Sequence, residues 1–248
     1  MIEFETAERG DARRLHRVVV DEVQSLGPQV RRIVFEGDSL GEMESGLPAQ
    51  WLKVAIPDAS GQALIHRPYA IRGFYRGWRV VVIDFVLHAG SGPVSAWARS
   101  ANVGDVVHLG HPRGGYQLDP QARWQLLAGD ETALPAIASI LEALPEDGVP
   151  TWGMIEIPSV EDIQTLGYPE GTDIHWLVRD RDQAAVGELL RDAVSSLHLP
   201  EGPGQVFLAG EAGLVADLQQ ALALRSPAAL IEARGYWRHG EAGEHAEP

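Results

Sequence analysis

WQLLAGDETALPAIASILEAL, residues 124–144, passes from a short apolar run ending in glycine into a long apolar segment with helical spacing. A strand followed at once by a helix predicts half of a βαβ unit. Downstream the rhythm continues. TWGMIEI (151–157) and IHWLVR (174–179) read as strands, AAVGELLRDAVSSL (184–197) as a helix, QVFLAG (205–210) as a strand, LVADLQQALAL (214–224) as a helix and AALIEA (228–233) as a last strand. Such alternation implies a parallel sheet covered by helices.

Upstream the texture differs. Strand-like runs at Leu15 to Val23, Val30 to Phe35, Trp51 to Ile56, Tyr69 to Phe74, Trp78 to His88 and Val106 to Leu109 are punctuated by turn residues. In the longest, Val81, Ile83, Phe85 and Leu87 share one apolar face, while Asp84 and His88 lie on the other. Six antiparallel strands predict a small barrel. GPVSAWARSA (92–101) interrupts them as a helix, with Pro93 suited to a first helical position. The predicted fold class is therefore all-β followed by α/β: a six-stranded antiparallel β-barrel over 1–120, then a Rossmann-like, parallel-sheet α/β domain over 121–248. The tail HGEAGEHAEP (239–248) is expected to be disordered.

The chain has no cysteine, which excludes disulfides, thiol nucleophiles and thiolate-bound clusters, so redox chemistry would need a borrowed cofactor. A formal charge of −15 argues against nucleic acid or an anionic membrane surface as partner. The polar start MIEFETAERGDARRLHR matches neither a signal nor a transit peptide, and no run nears the roughly 18 to 20 apolar residues of a membrane span. A cytoplasmic protein is expected, as a monomer. Lys53 is the only lysine.

Two segments could carry chemistry. In Arg67-Pro68-Tyr69-Ala70-Ile71-Arg72, alternation puts Arg67, Tyr69 and Ile71 on one strand face, so a cation and an aromatic point together. That pair can hold a phosphate and stack a flat ring, or simply pack at a barrel rim. In Gly90-Ser91-Gly92-Pro93-Val94-Ser95 a strand runs into a helix, whose backbone N–H groups, with the Ser95 hydroxyl, suit an anion. The glycines resemble a damaged G-x-G-x-x-G pattern, yet the preceding strand reads as antiparallel, and a plain capped helix fits the same residues. His108 and His111 form an incomplete metal set. Ser95 with His88 lacks the strand–elbow–helix setting of a hydrolase.

RPYAIR (67–72), DFVLHAGSGPVSAWARSANVGD (84–105), LLAGDETALPAIASILEALP (126–145), FLAGEAG (207–213) and GYWRHG (235–240), in this order and spacing, resemble the siderophore-interacting protein family of ferredoxin-reductase-like flavoproteins. The resemblance implies an FAD-dependent oxidoreductase, with an FAD-binding barrel and an NAD(P)H-binding type of α/β domain. By similarity Arg67 would contact the FAD phosphates, Tyr69 would stack on the isoalloxazine, and the backbone at Ala70 and Ile71 would bind its polar edge. His88, Gly92, Pro93, Val94 and Ser95 would hold the pyrophosphate, Thr132 and Ala133 would lie near the adenine, and Trp237 would cover part of the flavin site. Lys53, Arg238 and, more weakly, Arg113 would receive the ferric siderophore, since a few focused cations can attract an anionic complex to an acidic protein. No catalytic side chain and no resident metal are implied.

Ala70 departs from the family, which usually carries threonine or serine there. One lost hydrogen bond costs about 0.5–1.5 kcal/mol, so binding should survive, whereas flavin potential could shift either way. The implied reaction carries electrons from a donor through FAD to siderophore-bound Fe(III), and Fe(II) leaves because it binds hard oxygen ligands less tightly. NADH or NADPH is the expected donor, entering at Gly129 and the Gly210-Glu211 turn. The acidic PSVED (158–162) offers no arginine for a 2′-phosphate, which leans to NADH. A reduced ferredoxin is the alternative, disfavoured by charge. Two further readings stay open: a general NAD(P)H:flavin oxidoreductase without siderophore specificity, and a noncatalytic flavin-containing binding module.

Overall fold

The computed structural model describes residues 15–44, 46–58, 61, 63–87 and 92–240. The chain divides into two compact units, Met1–Gly115 and Tyr116–Pro248. The division precedes the change of sequence texture near residue 121, because Tyr116 is buried with the second unit's strands. Its hydroxyl bonds Gln125 at 3.1 Å, and its ring meets Phe207 edge-on at 5.8 Å.

The first unit contains β1 (His16–Ser25), β2 (Val30–Glu36), β3 (Gln50–Pro57), β4 (Leu64–Ala70), β5 (Gly73–Tyr75), β6 (Val80–Val86), helix α1 (Pro93–Ser100), β7 (Val106–Leu109) and the short β8 (Arg113–Gly114). The order is β4-β3-β7-β1-β2-β6-β5, with β8 against β3 and every pair antiparallel. Only Ile71 and Arg72 separate β4 from β5, although these strands end opposite sides of the path. A sheet whose two ends are successive in the chain must curl round on itself. The result is the expected six-stranded barrel, with β4 and β5 as arms of one bent strand.

The sequence predicts an unbroken strand from Tyr69 to Phe74, and here the structure differs. The Ile71 N–H bonds Gln50 O on β3 at 2.8 Å, and the next N–H, of Arg72, bonds Val82 O on β6 at 2.9 Å. The partner strand changes between consecutive residues, so the chain must bend there. The longest predicted strand also begins late. Arg76–Trp78 is a 3-10 turn closed by Arg79 at a left-handed φ of 57°, which removes Trp78 from the strand and leaves it exposed.

Val81, Ile83, Phe85 and Leu87 do form the inner face, packing with Val18, Ile33, Leu52 and Val54. Asp84, on the outer face, is nevertheless buried. Its carboxylate accepts a bidentate pair of bonds from Arg32 Nε and Nη2, both 2.7 Å, and Arg72 Nε lies 3.9 Å away. A carboxylate on β6 thus ties β2 to the bend. Helix α1 closes on the same core through Val94 and Ala98. Arg31 of β2 fastens its far end by donating to the carbonyls of Ala98 (3.1 Å), Arg99 and Ala101 (3.2 Å), a placement of positive charge that suits a helix C-terminus.

The second unit contains β9 (Gln125–Gly129), α2 (Leu134–Ala143), β10 (Thr151–Ile157), β11 (Thr172–Val178), the single turn α3 (Arg179–Asp182), α4 (Glu188–Ser196), β12 (Gln205–Glu211), α5 (Ala212–Arg225) and β13 (Leu230–Trp237). The strands pair in parallel in the order β11-β10-β9-β12-β13, the Rossmann-like sheet that the alternation predicts. Central β9 is buried throughout, as expected of a strand covered on both faces. No helix among the described residues is long and apolar enough to cross a membrane.

Removing one partner of a buried ion pair leaves the other charge uncompensated, typically a loss of about 3–5 kcal/mol. Asp84→Ala should therefore lower stability against urea by about that much, with Asp84→Asn losing less. A loss below about 1 kcal/mol for Asp84→Ala would show that the bend does not depend on this carboxylate.

Candidate functional site

In the barrel unit, cross-strand register decides which predicted residues meet. Directly opposed residues share a sheet face. Tyr69 pairs with Leu52 and Arg67 with Val54, and both strand partners are core residues. Arg67 and Tyr69 therefore share the inner face. The Tyr69 ring packs 4.5 Å from Phe85, and its phenol is pushed above the usual tyrosine range by burial, an effect the Arg67 charge opposes. Ile71 lies beyond the end of β4 and is buried in the core.

Arg67 reaches the start of α1. A Cβ built on Gly92 would stand 3.9 Å from Arg67 Nε, so the guanidinium lies beside the helix entrance. Gly92 is the N-cap and supplies no side-chain cap, Pro93 follows it, and the Val94 and Ser95 N–H groups belong to the first helical turn. A cation facing a helix start without a side-chain cap is a site for anionic oxygen. The Ser95 hydroxyl donates to Val86 O at 3.3 Å. His88, also expected here, lies outside the described residues, as do Gly90 and Ser91.

The edge of β4 supplies a second feature. Because the Ile71 N–H bonds Gln50 O, alternation along an antiparallel pair directs the backbone groups of Ala70, Pro68 and His66 away from β3. No strand among the described residues pairs with that side of β4. Pro68 sits there at no loss to the ladder. Arg67 Nη1 donates to the His66 carbonyl at 2.7 Å. Ala70 turns one N–H and one C=O outward, a donor and acceptor matched to the polar edge of a flat heterocycle. The Ile71 N–H is already bonded within the sheet.

Lys53 pairs with Pro68 and so lies on the opposite face from Arg67 and Tyr69. It shares that face with Trp51, and Arg113 of β8 sits over the Trp51 ring at 5.8 Å. Two of the three predicted substrate cations are thus on one face, beside an indole. His108 pairs with Arg17 and Ala55. Its imidazole is held below the usual histidine range by desolvation and by the Arg17 charge. His111 stands edge-on to His16 at 4.8 Å. No metal-holding group of three or more such side chains occurs among the described residues.

In the α/β unit, the predicted residues gather where the parallel strands end. The Thr132 N–H (2.9 Å) and hydroxyl both donate to Asp130 Oδ1, and Ala133 is fully buried against Gly129, so neither offers a donor to a ligand. Trp237 is half-buried, its Nε1 donating to Asp130 Oδ2 at 2.8 Å, and Arg238 beyond it is exposed. Sequence reasoning missed the acidic residues that organise this edge. Arg179 binds Glu131 through two 2.8 Å bonds and Glu156 through one of 3.0 Å, and Glu156 also receives the Gly187 and Leu190 N–H groups at the start of α4, at 2.7 and 2.9 Å. Glu211 caps α5 through Leu214 N–H at 2.7 Å. The available signal was charge placed directly after apolar strands, as in LLAGDE and HWLVR.

Residues 59–116 match the siderophore-interacting FAD-binding domain, and residues 122–240 match the siderophore-interacting protein model. The chain belongs to the siderophore-interacting protein family. The ferric vibriobactin reductase ViuB of Vibrio cholerae is 33% identical over 184 residues, covering 73% of this chain and 67% of that protein. A siderophore utilization protein from T. fusca superposes with a TM-score of 0.81 at 29% identity, covering 94% of this chain and 95% of that one. SipS, the siderophore-interacting protein of Aeromonas hydrophila, gives the same TM-score and identity over 92% of this chain and 93% of its own. A ferredoxin NADP+ reductase from Neisseria gonorrhoeae, 16% identical, shares the fold with a TM-score of 0.67, covering 90% of this chain and 99% of that one.

If the Arg67 guanidinium and the α1 entrance hold phosphate, Arg67→Ala should weaken FAD by about 10- to 100-fold, the range for charge-assisted bonds, while riboflavin, which lacks phosphate, changes only a few-fold. Equal weakening of both in equilibrium titrations would place Arg67 outside the phosphate site.

Proposed function

We propose that this member of the family is an FAD-dependent ferric-siderophore reductase acting in the cytoplasm, taking electrons from NADH and releasing iron as Fe(II). The observation that carries the flavin half is the meeting of Arg67 with the helix entrance at Gly92, beside the open strand edge at Ala70. Family membership and the likeness to a ferric vibriobactin reductase support the siderophore half.

The barrel's residues fit FAD. Arg67 with the Val94 and Ser95 N–H groups would hold the phosphates, and Tyr69 and the Ala70 backbone would orient the ring, as the family likeness implies. When bound, FAD supplies the step between a two-electron donor and a one-electron acceptor. The protein's own task is placement. Lys53 and Arg113, sharing one face of the sheet with Trp51, would hold an anionic ferric complex through focused charge. No side chain needs to become covalently attached.

The donor reading rests on the α/β unit. Asp162, in the turn after β10, is buried and bonded to Ser159, leaving no cation in PSVED for a 2′-phosphate. At the starts of α4 and α5, Glu156 and Glu211 fill the positions that would otherwise attract pyrophosphate. NADH should therefore bind weakly and NADPH more weakly still. Stopped-flow bleaching by NADH, NADPH and reduced ferredoxin tests this, and reduction by ferredoxin alone would overturn it.

Lys53→Ala should raise the concentration of ferric siderophore needed for half-saturation by roughly tenfold, as loss of one charge-assisted contact would. FAD content should be unchanged. Saturation that does not respond to this substitution would favour a general flavin reductase instead.

A further inference from the structure

Asp130 follows the last residue of β9 and is 1% exposed. Its Oδ1 takes the Thr132 N–H and hydroxyl, and its Oδ2 takes the Glu211 N–H and the Trp237 indole N–H, both at 2.8 Å. One carboxylate therefore joins the carboxyl ends of β9, β12 and β13. The close approach requires glycine at 210. Its φ is +133°, and a Cβ there would stand 2.4 Å from Asp130 Oδ2.

We propose that Asp130 is a positioning residue, which through its carboxylate fixes the Trp237 indole and the Gly210–Glu211 turn at the ligand-binding edge of the α/β sheet. The proposal rests on the reading above, in which this edge of the α/β sheet receives the electron donor. Four donors converge on this group, and the ionised form accepts them all as charge-assisted bonds. A proton on Oδ1 can be shared with the Thr132 oxygen once that hydroxyl turns, so the contacts to Oδ2 persist but lose the charge that strengthens them.

Burial and the neighbouring Glu131 raise the Asp130 carboxyl to about 6, against the bonds from Thr132 and Trp237, which lower it. The other groups facing this region are Glu131, held by Arg179; Glu211, bonded to Leu214 and to the His239 N–H at 3.3 Å; and Tyr236 on β13, whose phenol is raised to about 12 by burial and, in smaller part, by Glu232 and Asp130. Because the folded value lies above the ordinary 3.8, ionised Asp130 lowers global stability at pH above about 6, and the effect fades towards pH 4. Acidification through pH 6 thus weakens the indole's hydrogen bond while this group makes global unfolding harder. Local loosening is thereby separable from acid denaturation.

The test uses the full chain labelled on its seven tryptophan indoles, with the Trp237 signal assigned from Trp237→Phe. In the wild type, the Trp237 indole N–H should titrate with a midpoint near pH 6, while thermal melting shows no matching loss. In Asp130→Asn that midpoint should disappear, and indole hydrogen exchange at pH 7.5 should be roughly tenfold faster or more. Asp130→Glu, which keeps the charge, should restore slow exchange in part. An indole that does not titrate in the wild type, or that keeps its shift and slow exchange in Asp130→Asn, would overturn the proposal. This readout needs neither flavin turnover nor siderophore, so it can fail while the reductase reading stands, and the reverse.

Discussion

Ile71 and Arg72 join two strands that lie at opposite ends of the same antiparallel path, and most of the barrel's features follow from that short connection. The sheet must curl, because its ends cannot separate by more than two residues allow. The backbone must change partners within one peptide, from Gln50 to Val82. The Arg32–Asp84 ion pair, with Arg72 close by, holds the bend from outside while the core packs against it from inside. Among the described residues, no strand faces one edge of β4, and that edge is where Ala70 presents its backbone. Arg67, three residues earlier on the inner face, is then delivered to the entrance of α1.

The α/β unit follows a different electrostatic plan. Helix starts at the carboxyl edge of a parallel sheet usually attract the phosphates of a nucleotide. Here Glu156 and Glu211 occupy two of them, and Arg179 bridges the buried Glu131 and Glu156. The net charge is −15, yet Lys53 of β3 and Arg113 of β8 share one outer face of the barrel sheet, whereas carboxylates gather on the α/β edge. This segregation would let an acidic protein both receive an anionic iron complex and discriminate against a phosphorylated nicotinamide.

Elements whose side chains alternate or recur at helical spacing were legible in the sequence. The β6 face of Val81, Ile83, Phe85 and Leu87 and the strand-to-helix passage at Leu126–Ala143 both reflect local periodicity. What local pattern cannot encode was missed. RPYAIRGFY alternates without interruption, so the change of partner at Ile71 has no signature. Asp84 reads only as a residue of the outer face, because the partner it is buried with, Arg32, is distant in sequence. Arg67 reads as a phosphate contact and Lys53 as a siderophore contact, yet only cross-strand register shows that they occupy opposite faces. Asp130 gave a partial signal, an acid directly after an apolar strand, but its partners Glu211 and Trp237 come from far along the chain.

The central claim is that this chain passes electrons from a bound flavin to siderophore iron. Mixing the anaerobically reduced, FAD-loaded protein with a ferric siderophore, in the presence of a ferrous trap, tests it most directly. The account predicts saturable return of the oxidised-flavin spectrum, with two Fe(II) trapped for each two-electron-reduced flavin, about as fast as steady-state turnover. Flavin that stays reduced, with no Fe(II) trapped, would contradict it.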